Sequence, residues 1–318
     1  MFTLNQIPIF QQLENSQNIL LAGGGFDIYA GIPFYLNLLK QGKNVILGNY
    51  SFTFLKGTTS EEEFSHCYRV KGEDRDISEG GYFPEKYLAQ YLATQGHDAT
   101  IYAFERSGVN AFRKAYKYLI DKYKIDAVVL VDGGTDSLMF GDEEGLGTPI
   151  EDMISMSAVY QTGIEKQYLL NLGFGVDHYH GVSHFRFLEN VAALSKEGAY
   201  LESFHLLPQM PEAQQYKEAL LFSNERMPNM ESIVSNSIVS ALEGEYGDYH
   251  KTKRTQGSQL WINPLMTIYW AFDLQAVVQK IKYYDYIKGT DTVSDFMLGL
   301  RTYRTALAKQ RPSKQIPI

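Results

Sequence analysis

Apolar and polar positions alternate along the chain in two rhythms. NILLAGGGFD carries an unbroken apolar run at 19–22 that stops at three glycines, which predicts a buried strand and a tight turn. Ile28, Ile32, Leu36 and Leu39 then recur at helical spacing until Gly42, and KNVILGNYSF reads as a second strand. Strand, helix, strand is the unit whose default is a right-handed crossover and parallel pairing. The alternation resumes with a helix over 85–95, a strand in DATIYAFE, and a helix over 109–123 with Val109, Phe112, Tyr116, Leu119, Ile120 and Tyr123 on one face. DAVVLVDGG is the clearest buried strand. Thr148-Pro149-Ile150-Glu151 combines an N-cap residue, a first-turn proline and a glutamate three residues past the cap, which predicts a helix start. KQYLLNLGFGVD and YLESFHLL read as strands. Helices are expected over 184–195, from about Pro211, near 230–243 and over 262–282.

Residues 56–84 break this rhythm. They are charged, Gly-bearing and poorly periodic, with Ser60 and Glu63 spaced as a capping box. They predict an irregular excursion, either a lid or a solvated loop. Residues 308–318 lack apolar periodicity and read as a flexible tail. The whole, 1–318, reads as one α/β domain with a doubly wound, mostly parallel, Rossmann-like sheet, because its strands are apolar runs rather than alternating ones.

Composition narrows the function classes. The chain has 318 residues, 44% hydrophobic and 21% charged, ordinary for a globular protein. A net charge of −8 argues against capture of nucleic-acid backbones. No apolar run approaches membrane-span length, and the first residues show no basic segment followed by a long apolar one, so neither a membrane anchor nor a signal peptide is expected. The lone Cys67 excludes an intrachain disulfide and fits a reducing cytoplasm. The 23 tyrosines suit pocket linings and a homo-oligomer interface, or plain packing at the core edge.

Three Gly-rich polar loops each follow the carboxyl end of a predicted buried strand: AGGGFD (22–27), DGGTDSLMFGDEEGLGTP (132–149) and GFGVDHYHGVSH (173–184). In a parallel sheet those ends share one rim, where ligands bind at a switch in strand order. Gly23, Gly24 and Gly25 suggest a backbone cradle for an anion, with Asp27 beside it, or simply a tight turn. The dinucleotide fingerprint fails, since Ile28 stands where its third glycine belongs, and a nicotinamide cofactor is not expected. In the second loop, Asp132, Gly133, Gly134, Asp136 and Ser137 suggest a hard-cation site, a grip on ligand hydroxyls, or a general base. Asp142, Glu143 and Glu144 read more simply as a solvated acidic turn.

The third loop packs His178, His180 and His184 behind Asp177. Their spacing matches no standard zinc signature. Three readings stand: a divalent metal held by Asp132, Asp136, His178 and His180; acid–base contact of His178 and His180 with a ligand, alongside Asp132; or structural hydrogen bonding. His184 is expected at a helix start capped by Ser183, where a protonated imidazole is disfavoured. Late in the chain, His250, Lys251, Lys253 and Arg254 form a compact basic cluster, with Arg254 the candidate anion contact.

AGGGFDIYAGIP, VDGGTDSLMFGDEEGLGTPIED, GVDHYHGVSHFRFLENVA, SIVSNSIVSALEGEYGDYH and RTQGSQLWINPLMTIYW, in this order, resemble the domain-of-unknown-function 1152 family across nearly the whole chain. The resemblance implies no activity, so no catalytic residue carries over from it. The residues themselves lead to the expectation of a cytoplasmic enzyme that hydrolyses or transfers a group on a small anionic or polyhydroxylated metabolite, a sugar phosphate or nucleotide. The alternative is a non-catalytic metabolite sensor or assembly protein.

Overall fold

The computed structural model describes residues 8–78 and 81–316. In chain order its strands are β1 (Asn18–Gly24), β2 (Asn44–Ser51), β3 (Glu61–Phe64), β4 (Cys67–Val70), β5 (Ile101–Glu105), β6 (Ala127–Asp132), β7 (Lys166–Leu172), β8 (Tyr200–His205), β9 (Gly247–Asp248), β10 (Trp261–Ile262) and β11 (Ile268–Asp273). All but β9 and β10 join one sheet in the order β3-β4-β5-β2-β1-β6-β7-β11-β8. The five central strands, β5, β2, β1, β6 and β7, are parallel. Antiparallel strands extend both edges.

The chain winds outward from β1 through β2 to β5, then crosses back to lay β6 on the other side of β1. The order therefore switches between β1 and β6, and the carboxyl ends of those two strands carry the AGGGFD and DGGTD loops. Side chains alternate across the sheet as a strand requires. Ile19, Leu21, Val129 and Val131 enter one apolar core with the helices Ile32–Lys40, Pro84–Thr94 and Pro211–Arg226. Leu20, Ala22, Val128 and Leu130 enter the other, beneath Val109–Tyr123, Pro149–Tyr160 and His184–Lys196. This is the doubly wound α/β architecture that the alternating pattern predicts. Among the described residues, no helix is long and apolar enough to cross a membrane.

Three segments depart from the sequence expectations. The stretch 56–84 holds the β3–β4 hairpin, which pairs onto β5. Its outer strand EEEF is charged because it lies at the sheet edge, where charge discourages further pairing. Ser60 caps nothing there. Its hydroxyl donates to Asp74 Oδ2 (3.0 Å), and Glu63 accepts from Tyr118 (2.7 Å). The helix expected over 262–282 is instead a 3₁₀ turn at Pro264–Thr267, strand β11, and the helix Leu274–Lys280 capped by Asp273. A short run such as IYWAFD has no period that separates strand from helix, and its place between β7 and β8 decides for strand. Finally, 308–316 is strapped to the body. Arg311 N donates to Asp142 O (2.7 Å), and Arg311 O accepts from Glu144 N (2.8 Å).

Candidate functional site

The switch point between β1 and β6 gathers carboxylates. Asp132 closes β6 and is 2% exposed. Its Oδ2 accepts from Ser137 Oγ and from Asn171 Nδ2, both at 2.6 Å. Asn171 lies opposite it on β7, so strand register supplies that donor. Asp136 Oδ2 accepts from Thr148 N (2.7 Å) and Thr148 Oγ1 (3.2 Å). Thr148 thus occupies the N-cap position of the helix Pro149–Tyr160, but its hydroxyl serves Asp136 and Glu151 instead of the helix backbone. Asp177 Oδ2 accepts from Thr135 N (2.5 Å), which ties the histidine loop to the acidic loop.

Two further acids come from the first turn of Pro149–Tyr160. Asp152 is 9% exposed and, among the described residues, its carboxylate accepts no hydrogen bond. Glu151 lines the wall beside it. One oxygen each of Asp27, Asp132 and Asp152 lie within 4.8 Å of one another. Gly133 and Gly134 make room for this convergence. A Cβ on Gly133 would stand 2.7 Å from Asp27 Oδ1, and one on Gly134 would stand 2.7 Å from Asp177 Oδ2.

Burial and mutual repulsion raise every carboxyl of this group. For Asp27, burial acts first, then the charges of Asp132, Glu151, Asp136 and Asp177, and the result lies well above the usual carboxylate range. Asp132 and Asp152 are pushed well up in the same way, with the Ser137 donors partly offsetting the shift at Asp132. Asp177 follows, its rise opposed by Thr135. Asp136 is raised by burial against the pull of the Thr148 donors and of His180. Burial and Asp136 bring Glu151 to about 7. Such a set either holds protons near neutral pH or awaits a positive partner.

Asp27 and Glu151 carry this group to the edge of a cleft of about 410 Å³, lined also by Gly24, Phe26, Phe52, Tyr82, His180, Ser232, Ile233, Val234 and Arg254, while Asp152 borders a smaller adjoining cavity that shares Gly24 and Glu151 with it. The Gly loop, the acidic loop's helix, one histidine and the basic cluster's arginine therefore meet. Beneath, Asn49 Nδ2 bridges Gly25 O and the buried Glu85 Oε1, both at 2.9 Å, and so braces the Gly23–Gly25 turn.

The histidines part company. His180 faces the cleft, whereas His178 and His184 line a separate pocket of about 490 Å³ with Ser183, Trp261 and tail residues 313–316. His178 Nδ1 lies 3.4 Å from Val182 O, and the rings of His178 and His184 stand 5.0 Å apart. His184 begins its helix with Ser183 as N-cap, and burial followed by the charge of His178 lowers it to about 4. The metal set Asp132, Asp136, His178 and His180 is not the group that converges. Asp136 is already held by Thr148, His178 points elsewhere, and the close oxygens are those of Asp27, Asp132 and Asp152. The acidic turn is solvated at Glu144 but not at Glu143. Glu143 is 1% exposed and accepts from Arg311 Nη2 (2.6 Å) and Asn190 Nδ2 (2.7 Å). Of the basic cluster, Lys251 pairs with Glu243, while Arg254 reaches the cleft.

Sequence reasoning missed Asp152, Phe52 and Tyr82, and treated Glu151 only as a capping residue. A signal existed for the acids: a helix entered from a strand's carboxyl end presents its first turn to the ligand rim, so TPIED carries two acids there.

Fold and rim together define a doubly wound α/β protein with an acidic cleft at its topological switch point. The family profile described as "Protein of unknown function (DUF1152)" matches residues 19–304, and the chain belongs to that family. No curated protein and no solved structure matches it.

Proposed function

We propose that the protein is an enzyme acting on a small phosphorylated or polyhydroxylated metabolite, by hydrolysis or group transfer, with a divalent cation held by Asp27, Asp132 and Asp152. One observation carries the reading: three carboxylate oxygens within 4.8 Å, one of them on the buried Asp152 that receives no hydrogen bond among the described residues. All-oxygen ligands suit a hard cation such as Mg²⁺, Mn²⁺ or Ca²⁺. Such an ion balances the like charges and polarises a phosphoryl or hydroxyl oxygen of the substrate.

The chain's own groups take the remaining roles. Glu151, a carboxylate at the cleft wall beside the acids, is placed to take a proton from a bound nucleophile. It accepts the proton of the attacking water, or of an acceptor hydroxyl, as the bond from the reacting centre to its leaving oxygen breaks. Arg254 offers its guanidinium to the substrate's anionic group, and His180 stands at the same wall.

Calorimetric titration of chelator-stripped protein with Mg²⁺, Mn²⁺ and Ca²⁺ tests the reading. Stoichiometric binding that Asp132→Asn removes is expected, followed by cation-dependent turnover in a panel of sugar phosphates and nucleotides. Absence of cation binding by the folded protein overturns it. Ligand binding without turnover, unaltered by Glu151→Gln, transfers the site to a metabolite sensor.

A further inference from the structure

We infer that the metabolite of this cleft is a nucleotide, with its base against Phe52 and Tyr82 and its phosphate on Arg254. The inference rests on the reading of an acidic, cation-holding floor and adds to it the chemistry of the walls.

Phe26, Phe52 and Tyr82 form an aromatic side of the cleft. Phe52 is 38% exposed, a large apolar ring left in water at the mouth. It leans on Tyr50, 5.3 Å between centroids, and the Arg106 guanidinium lies 5.7 Å from its ring. The Tyr82 ring meets Phe26 edge-on at 5.9 Å, and its hydroxyl makes no hydrogen bond among the described residues. A planar base stacks on such rings whatever its identity.

Arg254 borders the same space. Its Nη1 donates to Glu231 O (2.7 Å), and among the described residues the guanidinium has no ion pair, so its other donors remain for a phosphate. Asp27, Tyr82 and Arg254 line the same cleft, so the acid and the arginine both neighbour that ring. A cleft of about 410 Å³ is in the range for one small ligand. A sugar phosphate would use the floor and Arg254 but leave the rings wet. A free nucleoside would use the rings and leave Arg254 without its anion. A nucleotide uses all three.

Calorimetry on the full chain with Mg²⁺ separates these ligands, the probes being AMP, GMP, CMP and UMP against ribose 5-phosphate and adenosine. At least one nucleotide is expected to bind roughly tenfold or more tightly than ribose 5-phosphate, as one stacked base implies. Phe52→Ala should lose most of that advantage and leave ribose 5-phosphate unchanged. Phe52→Leu, which keeps the bulk, should lose a similar part and serves as the fold-preserving control. Arg254→Gln should weaken nucleotides and not adenosine. Equal affinity for ribose 5-phosphate and every nucleotide, or nucleotide binding indifferent to both Phe52 variants, overturns the inference. So does failure of all phosphates to bind. Mg²⁺ titration without nucleotide is scored separately, so the cation reading and the nucleotide inference fail on different measurements.

Discussion

Asp152→Asn should stabilise the cation-free protein and abolish its response to cation. The substitution keeps shape and removes one charge. Asp152 is nine-tenths buried without a hydrogen-bond donor, and its oxygen stands within 4.8 Å of Asp27 and Asp132. At an effective dielectric of about 20, each ionised pair at that separation repels by about 3.5 kcal/mol. Protonation relieves the repulsion, and holding a carboxyl of ordinary pKa about 3.9 neutral at pH 7 costs about 4 kcal/mol. The cost sets a ceiling, so asparagine should stabilise by about 2–4 kcal/mol at pH 7 and by no more than about 1.5 kcal/mol at pH 5. The sign follows from the raised pKa of Asp152. The native state binds more protons than the unfolded chain, so wild-type stability is fullest at acid pH and is lost as pH rises toward the folded value. With a divalent cation at about 100 times its Kd, the wild type should gain about 2.7 kcal/mol and the variant almost nothing. Urea unfolding followed by the fluorescence of Trp261 and Trp270, in chelator and in Mg²⁺ or Mn²⁺ from pH 5 to 8, reads all of these quantities. A variant less stable than wild type in chelator across that range would show that Asp152 has a structural partner, and the acidic-floor argument would fail with it.

Two other perturbations test the surroundings of the cleft. Arg311→Ala leaves the 1%-exposed Glu143 with Asn190 and the backbone N–H groups of Phe140 and Gly141 as donors. It should therefore cost about 2–3 kcal/mol, below the full penalty of an orphaned buried charge, and speed amide exchange at 142–144; unchanged exchange there would deny the strap its role. His184, lowered to about 4, should contribute stability that is present above pH 6.5 and lost as pH falls toward 4. Imidazole NMR resonances of His184 that titrate above pH 6 would contradict its burial.

The fold was legible because its central strands are buried on both faces. DAVVLVDGG and NILLAGG appear as unbroken apolar runs between helical periods, and those runs set the order of the layers. Edge and late elements were not legible, for reasons that lie in three dimensions. EEEF becomes a strand only because β4 offers it an edge, and IYWAFD only because β7 and β8 flank it. The tail has no periodicity because polar contacts rather than an apolar face anchor it, the Arg311 side chain to Asp142, Glu143 and Glu189 and the backbone of Pro312 and Ser313 to Arg186 and Glu144. Of the site, strand ends located the rim, bringing Gly24, Asp27, Asp132 and Asp136 together. Asp152 was hidden because an acid in the first turn of a helix is ordinarily a solvated partner of the helix dipole. Only the packing of that helix over β1 and β6 turns it inward. His178 and His180, two residues apart, share a side only in an extended segment. The loop instead coils as a 3₁₀ turn over Val176–His180, which sends them to different pockets.

The glycines of this rim acquire a different meaning once the acids are placed. In the sequence they suggest backbone drawn close to an anion. At Gly133 and Gly134, the groups drawn close are the protein's own carboxylates, those of Asp27 and Asp177. A bare phosphate would meet repulsion at these acids, and the positive group offered to it in the cleft is Arg254. A cation held there would reverse the field and would let an anionic ligand approach the carboxylates. The hydrogen-bond donors around the floor are placed to the same effect. Ser137, Asn171, Thr135 and Thr148 hold Asp132, Asp177 and Asp136 in fixed orientations, while Asp152 is left without any. A fold maintained for stability alone would replace a buried, unbonded acid among like charges with asparagine or an apolar side chain. Its cost is of the kind retained where a site needs the charge, and this is why the reading of the cleft turns on Asp152 more than on the histidines.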